Sequence, residues 1–287
     1  MQADPVSDVE ALVSYITPSE RKPFAYEFDP PDGLPRRSAT YRDHRVRIRN
    51  ARSLKRATTL DEQGFALRQH PTRMVDFYDE AKVKSVYYAE IEQLVKEVTG
   101  ASSVVVFDHT VRGSDAARRS GTTIQEPVNR VHNDYTSESA LRRVRDLVPA
   151  EDAENLLQHR MVEVNVWRPI RGPLQTMPLA VLDATSLRPG DLVACDLIYR
   201  DRVGEIYYVA HRPQHEWYYY PDMRRDEALL LKCFDTSASV TRFGAHAAFQ
   251  HPNAPADALP RESIEARTFA FFAPPLERGR VDDSGTS

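Results

Sequence analysis

The segment VHNDYT places His132 and Asp134 two residues apart. On an extended strand, residues i and i+2 project to the same face, so the imidazole and the carboxylate would converge on one point. Such a pair can occupy two positions on a metal ion, or act as a base with the acid that orients it. It can also be an ordinary hydrogen-bonded pair, and the two residues alone do not decide between these interpretations.

A further histidine would complete a site of two histidines and one carboxylate, the ligand set that leaves open positions on ferrous iron in non-haem oxygenases. The candidates are His211, His215, His246 and His251. Only His246 is followed, 15 and 17 residues later, by Arg261 and Ser263. A guanidinium binds a carboxylate through paired hydrogen bonds, and a hydroxyl two positions along a strand can add a third. Arg267 competes for this role, because the even spacing puts it on the same strand face as Arg261.

The elements that must position these residues read mainly as strands after residue 102. Short runs rich in β-branched and aromatic residues are separated by turn signals such as RPG. Seven or more strands without regularly alternating helices predict a sandwich or barrel. The apolar spacing in DFYDEAKVKSVYYAEIEQLVKEVTG predicts an amphipathic helix that ends at Gly100 and covers a sheet. We therefore expect a mainly β fold with flanking helices (α+β).

We expect a single domain over residues 1–287. Residues 1–100 are interpreted as an N-terminal arm and covering helix, with the basic segment RNARSLKR as a solvated part of that arm. Residues 101–275 are expected to form the catalytic core, and residues 276–287 a disordered tail.

The composition excludes several classes of function. With 41% hydrophobic and 28% charged residues the chain is globular, and a net charge of −4 gives no electrostatic footprint for nucleic acid. Cys195 and Cys233 make no disulfide framework and are expected to be buried on strands. No apolar run is long enough for a membrane span and no signal peptide is evident, so a cytoplasmic location is expected.

The second half of the chain resembles the hydroxylase/desaturase family of non-haem iron, 2-oxoglutarate-dependent oxygenases, which includes the cephamycin methoxylation component and gibberellin-desaturase-like enzymes. The resemblance rests on the segments VHNDYT, NVWRPIRGPLQTMPLAVLDATSL, HEWYYYPDMRRDEALLLKCFDT, HAAFQHPNAP and PRESIEAR. It implies a double-stranded β-helix (a jelly-roll, cupin-like core), with Fe(II) and 2-oxoglutarate as cofactors. The implied iron ligands are His132, Asp134 and His246. Where family members commonly carry threonine after the second histidine, this chain has Ala247.

The same resemblance implies that 2-oxoglutarate is bound by Arg261 and Ser263, with Arg267 as the competing arginine. The reaction would hydroxylate or desaturate a small, natural-product-like substrate with dioxygen. Possible contacts to that substrate are Tyr135, Trp167, Arg168 and Tyr219, and Arg168 or Arg171 could meet an anionic substrate. The resemblance also suggests a partner enzyme; a homo-oligomer is equally compatible with the sequence.

Two alternatives stay open at the level of sequence. One is a cupin-type metal enzyme on the same barrel that does not use 2-oxoglutarate and needs neither Arg261 nor Ser263. The other is a non-catalytic barrel that binds a small molecule, in which the His-x-Asp pair is accidental.

Overall fold

The computed structural model describes residues 8–272, which form two β-sheets with a few helices. The expectation of a mainly β chain with flanking helices is confirmed. The strands are β1 (Val9–Ile16), β2 (Phe24–Tyr26), β3 (Tyr41–Asn50), β4 (Phe65–Gln69), β5 (Ser103–Gly113), β6 (His132–Asn133), β7 (Met161–Pro169), β8 (Leu179–Leu182), β9 (Leu192–Ile198), β10 (Val203–Val209), β11 (Trp217–Tyr219), β12 (Glu227–Asp235), β13 (Ala245–Ala248) and β14 (Glu262–Phe271).

The helices lie around these sheets. They are α1 (Glu80–Lys82), a π-helical segment (Val83–Tyr87), α2 (Tyr88–Thr99), α3 (Ala116–Arg119), α4 (Ser137–Leu147) and α5 (Ala150–Leu157), with short 3₁₀ turns at Ala51–Ser53, Ala184–Ser186 and Pro189–Asp191. The predicted covering helix is the continuous run from α1 to α2. Asp79 caps its start, and Gly100 ends it in the left-handed conformation (φ 73°) that glycine adopts without strain.

Strand order explains how distant parts of the chain meet. The larger sheet has nine strands in the order β1-β3-β11-β8-β13-β6-β10-β9-β2. The smaller has five strands in the order β4-β12-β7-β14-β5. Within the larger sheet β13 pairs with β6, which brings His246 opposite His132 although more than a hundred residues separate them.

The N-terminal region extends both sheets. β1 and β2 are the two edge strands of the larger sheet, and β4 is an edge strand of the smaller one. The basic segment is largely exposed, as expected of a solvated arm, although Arg49 pairs with Glu216 at 2.9 Å and Arg52 with Glu227 at 2.7 Å. The predicted tail at residues 276–287 lies outside the described residues.

Two apolar clusters pack against one face of β7, with a polar layer between them. The first cluster contains Trp167 of β7 and Val181 of β8, and the second contains Met161 of β7 and Phe269 of β14. Asn165 lies on β7 between the two. A polar side chain with no exposed surface, placed between two packed clusters, marks the layer in which a functional site is expected.

One sequence expectation about this framework is met. Cys195 and Cys233 are buried, unpaired thiols on β9 and β12. No helix within the described range 8–272 is long and apolar enough to cross a membrane.

Candidate metal centre

His132 and His246 face each other across neighbouring strands. They are direct partners in the antiparallel register of β6 and β13, and their ring centroids lie 4.5 Å apart. Residues opposite each other in an antiparallel pair share one sheet face. The register of these two strands therefore brings together two histidines that lie far apart in the sequence.

Asp134 completes the group from just beyond β6. Its Oδ1 lies 3.4 Å from Nε2 of His132, and the potential ligand atoms of His132, Asp134 and His246 all lie within 4.8 Å of one another. The strand itself has only two residues, so Asp134 occupies a bend rather than the extended position expected from the sequence. The convergence is nevertheless the one that the His-x-Asp spacing predicts. Two imidazole nitrogens and one carboxylate oxygen form a donor set that fits ferrous iron.

A backbone contact fixes the tautomer of His132. Its Nδ1 lies 2.7 Å from the carbonyl oxygen of Arg130, and a carbonyl can only accept, so Nδ1–H is the donor. Nε2 then keeps a lone pair directed at the group, which is the usual arrangement of a metal-binding histidine. Burial, followed by the neighbouring His132, lowers the pKa of His246 to about 3, so this imidazole is neutral as a ligand must be.

The carboxylate of Asp134 is oriented by two donors on its far oxygen. Nδ2 of Asn165 donates to Oδ2 at 2.7 Å, and Nε of Arg267 donates to the same atom at 3.2 Å. Burial acts to raise the pKa of Asp134, but the Arg267 charge and the two histidines outweigh it and hold the pKa well below the usual range. Asp134 is therefore ionised, with Oδ1 directed at the histidine pair.

The inner face of β14 carries the remaining charged groups. Arg261, Ser263, Glu265 and Arg267 alternate along this strand toward the polar layer, whereas Ile264 and other intervening residues pack against the covering helix. The expectation that Arg261 and Arg267 share a face is thus met. Their surroundings differ.

Arg267 is occupied by protein carboxylates. Besides Asp134, it donates to Glu265 at 2.9 Å, to Thr110 at 2.9 Å and to Asp108 at 3.4 Å. Its guanidinium is the centre of a network that holds Asp134. Asp108 belongs to this network through its contact with Arg267.

Arg261 is buried and has no carboxylate within ion-pair distance among residues 8–272. Its Nε donates to Ser263 Oγ at 3.0 Å, a terminal nitrogen donates to the carbonyl of Met177 at 3.0 Å, and its guanidinium lies 5.1 Å from the ring centroid of Trp167. Burial, and then the nearby Arg112, lower the pKa of Arg261 to about 9. Burying a cation without a paired anion costs free energy, so an anionic ligand would stabilise Arg261.

A large cavity opens onto this centre. It has a volume of about 1220 Å³, and His132, Asp134, Tyr135 and Arg267 are among the residues that line it. Tyr135 is therefore placed where a substrate residue was expected. Trp167 lies instead beneath Arg261, as part of the first apolar cluster.

Arg168 and Tyr219 do not reach the cavity. Arg168 follows Trp167 on β7 and so points to the opposite face, where it donates to the carbonyl of His70 at 3.1 Å and lies over the ring of Tyr87 at 5.1 Å. Tyr219 packs edge-on against Phe249 in a different cluster. The interpretation of these two residues as substrate contacts is corrected by strand alternation. Arg171 is likewise engaged elsewhere, 3.3 Å from Glu262.

The other candidate histidines lie in different surroundings. His211 and His215 contact Tyr15, and His215 pairs with Asp191 at 3.1 Å. His251 lies beside Tyr219. Asn165 was missed by sequence reasoning; the available signal was a pair of polar residues, Glu163 and Asn165, at strand spacing in VEVNVW.

Glu163 is a buried carboxyl without a partner in the described structure. It lies on β7 opposite Phe234 and Phe269, with no exposed surface, and neither of its oxygens is hydrogen-bonded. Burial, and then the negative charge of Asp134, raise the pKa of Glu163 well above its usual value. The folded protein therefore binds a proton here that the unfolded chain releases at neutral pH.

Proton binding at Glu163 predicts that the free energy of unfolding depends on pH. Because the folded state binds more protons, stability falls as pH rises above the ordinary carboxyl pKa toward the raised one. Glu163→Gln, which is neutral at every pH, should match the parent near pH 4 and become more stable by up to ~1.4 kcal/mol for each pH unit above that. Denaturant unfolding of the metal-free proteins between pH 4 and 8 measures this, with the exposed Glu138→Gln as control. A stability difference that does not change with pH would contradict the prediction.

Comparisons with known proteins identify the family. A family model described as an oxidoreductase/YMDC permease-like domain matches residues 13–271. The Fe(II)/2-oxoglutarate-dependent dioxygenase nvfI of Aspergillus novofumigatus is 32% identical over 253 residues, covering 86% of this chain and 90% of the relative. The hydroxylase/desaturase CTB9 of Cercospora beticola is 33% identical over 282 residues, covering 87% and 86%.

A solved structure agrees in fold over nearly the whole chain. It is that of the iron and α-ketoglutarate-dependent endoperoxidase NvfI, which superimposes with a TM-score of 0.84 at 29% identity and covers 93% of this chain and 99% of its own. The sequence matches and this structure agree with the donor set assembled by β6 and β13. The chain therefore belongs to the hydroxylase/desaturase family of Fe(II)/2-oxoglutarate-dependent dioxygenases.

Proposed function

We propose that His132, Asp134 and His246 hold the Fe(II) of this oxygenase, with Oδ1 of Asp134 and Nε2 of His132 as two of the ligand atoms. The observation that carries the proposal is the convergence of the three side chains within 4.8 Å. The fixed tautomer of His132 and the two donors on the far oxygen of Asp134 support it, because such contacts orient the ligands of protein-bound metals.

We propose that Arg261, assisted by Ser263, binds the distal carboxylate of 2-oxoglutarate. Arg267 is less suited to that role, because Asp134, Glu265 and Asp108 already surround its guanidinium. Arg261 is buried without a carboxylate partner within residues 8–272, and it already contacts the Ser263 hydroxyl. Arg267 then orients the metal ligand Asp134, whereas Arg261 binds the cosubstrate.

The protein is an Fe(II)/2-oxoglutarate-dependent oxygenase of the hydroxylase/desaturase type, as the sequence predicted. Family membership decides against the cupin-type and non-catalytic alternatives. With iron, 2-oxoglutarate and dioxygen bound, the centre supplies the oxidising power for hydroxylation or desaturation. This chain's own residues orient the ligands, neutralise the cosubstrate charge and enclose the reacting position. We propose a natural-product-like substrate held in the 1220 Å³ cavity.

We further propose that the two sheets form a double-stranded β-helix. The strand orders support this, with β5, β14, β7 and β12 side by side in one sheet and β8, β13, β6 and β10 in the other. Residues 101–275 would be the catalytic core of one domain, and residues 1–100 an extension that adds edge strands. A cytoplasmic location and a partner enzyme or homo-oligomer stay predictions.

An anaerobic titration tests the ligand and cosubstrate assignments. The metal-free protein is given Fe(II) and then 2-oxoglutarate, and the visible absorption is followed. We expect a weak charge-transfer band that requires both components, and that is lost in His132→Ala while circular dichroism shows a folded chain. Iron binding without such a band would overturn the cosubstrate site, and an unchanged band in His132→Ala would overturn the ligand assignment.

The contact between Asn165 and Asp134 gives a separate prediction. Asn165→Ala removes the shorter of the two hydrogen bonds that orient the carboxylate. We expect iron affinity to fall by ~10–100-fold, the range typical of residues that orient metal ligands. Competition with a chromogenic chelator measures it.

A matched control for Asn165→Ala is available on the neighbouring strand. Thr268→Val removes a buried hydrogen bond of the same length, from Thr268 Oγ1 to the carbonyl of Val164, on the opposite sheet face. Thr268→Val should lower the melting temperature without lowering iron affinity. Equal iron affinities in the two variants would show that Asn165 does not orient the ligand.

A further inference from the structure

The cavity over the proposed metal centre is rich in arginine. Eight arginines and six carboxylates line it, whereas the chain as a whole has a net charge of −4. Most of the lining carboxylates are already neutralised. Arg267 pairs with Asp108 and Asp134, Lys22 pairs with Glu205, and Glu126 lies 3.7 Å from Arg119.

The arginines are not neutralised to the same extent. Six of those that line the cavity have no carboxylate within ion-pair distance in the described range 8–272: Arg37, Arg112, Arg130, Arg142, Arg143 and Arg202. These six arginines outnumber the two lining carboxylates that make no ion pair within the same range, Glu27 and Asp146, so the cavity lining carries an excess of positive charge. Positive walls around a cavity raise the local concentration of anions.

Three of these side chains also lack a hydrogen-bond acceptor at a buried atom. The Nε groups of Arg37, Arg130 and Arg143 are buried and unpaired. Buried donors are nearly always paired in folded proteins, so an unpaired set around one cavity indicates acceptors that arrive with a ligand.

Arg130 and Arg143 line the same cavity as His132 and Asp134 and come from different elements. Arg130 precedes His132 by two residues, supplies the carbonyl that fixes its tautomer, and lies over the ring of Tyr41 at 5.6 Å. Arg143 projects from α4 over the ring of Phe107 at 5.8 Å, and Phe107 in turn contacts Tyr135. Aromatic contacts of this kind hold a guanidinium in place while leaving its edge available to an anion.

We infer that the small molecule oxidised by this protein carries an anionic group, a carboxylate or its equivalent, and that Arg130 and Arg143 bind it. The inference rests on the proposed function, since it assigns the substrate side of the same centre. It replaces the sequence-based suggestion of Arg168 or Arg171, which are engaged elsewhere. The distal carboxylate of 2-oxoglutarate goes to Arg261 and leaves these two arginines to the substrate.

Two fluorescent probes of matched shape test the inference. 8-Anilinonaphthalene-1-sulfonate is an organic anion, and N-phenyl-1-naphthylamine has the same rings without the charge. Each is titrated into protein loaded with Mn(II), which does not turn over, and 2-oxoglutarate. We expect the anion to bind more tightly, and its Kd to rise on the order of 10-fold in Arg130→Gln and in Arg143→Gln, because each variant removes charge-assisted hydrogen bonds.

The controls separate this outcome from others. Arg145→Gln lies on the same helix, pairs with Glu154 and does not line the cavity, so its Kd should equal that of the parent. Arg130→Lys keeps the charge and should restore part of the affinity. The neutral probe should bind all variants equally, which excludes a general loss of folding.

Several results would overturn the inference. Equal binding of the two probes, or an anion Kd that is unchanged in both glutamine variants, would do so. A rise in the 2-oxoglutarate Kd of these variants with no change for the probe would assign the arginines to the cosubstrate. The iron–2-oxoglutarate absorption band of the parent protein, measured separately, reports on the proposed function. A failure of the substrate inference can therefore be distinguished from a failure of the proposed function.

Discussion

Replacing Asp134 with asparagine is expected to abolish iron binding and iron-dependent consumption of 2-oxoglutarate. Asn165 and Arg267 both donate to Oδ2, so the amide of the variant must place its oxygen there. Its NH₂ group then points toward the histidines, where a ligand lone pair is required. The loss should exceed the ~100-fold that is the upper end for residues orienting a ligand.

The measurements for Asp134→Asn are metal content after reconstitution and succinate formation. The side chain keeps its shape, so the melting temperature of the metal-free protein reports whether the fold is intact. An iron content equal to that of the parent protein would remove Asp134 from the ligand set. It would leave the carboxylate as part of the Arg267 network alone.

Replacing Arg261 with glutamine is expected to raise the KM for 2-oxoglutarate far more than it lowers kcat at saturation. Truncating one partner of a buried charge pair costs about 2–5 kcal/mol, which corresponds to roughly a 30- to 5,000-fold weaker interaction. Ser263→Ala removes a neutral donor and should cost only about 0.5–1.5 kcal/mol. The KM for 2-oxoglutarate, measured by succinate release, checks both values.

Arg267→Gln is the informative comparison for Arg261. Since Arg267 contacts Asp134, its loss should weaken iron affinity first and the KM for 2-oxoglutarate only as a consequence. If Arg267→Gln raised the KM at saturating iron while Arg261→Gln did not, the two proposed roles would be exchanged. Arg118→Gln, whose side chain is partly exposed and pairs with Glu262, controls for the loss of an arginine at this end of β14.

Local patterns predicted much of the candidate site. The His-x-Asp spacing placed two of the groups, and the even spacing along PRESIEAR put Arg261 and Arg267 on one face. Both follow from the two-residue period of a strand, which depends only on neighbouring residues. The choice of His246 over His211 or His215 came from its distance to Arg261, and the pairing of β13 with β6 agrees with it.

What the sequence did not predict depends on long-range packing. Whether Trp167 or Arg168 faces Arg261 is decided by the register of β7 between β12 and β14, which no local pattern specifies. The N-terminal strands were missed because their charged residues find partners far along the chain, as Arg49 of β3 finds Glu216. Asn165 was missed because a single amide signals nothing until Asp134 is placed beside it.

The metal centre and the cavity walls are formed by different parts of the chain. The groups proposed to bind iron and 2-oxoglutarate lie on or next to β6, β13 and β14, inside the sheets. Six of the eight cavity arginines come from the β2–β3 and β5–β6 connections, α4 and the β9–β10 hairpin, whereas Arg112 and Arg267 lie on β5 and β14. Insertions and substitutions in such segments are tolerated far better than in paired strands. Divergence can therefore change which molecule is oxidised while the oxidising centre is conserved, and relatives at about 30% identity carry names as different as hydroxylase/desaturase and endoperoxidase.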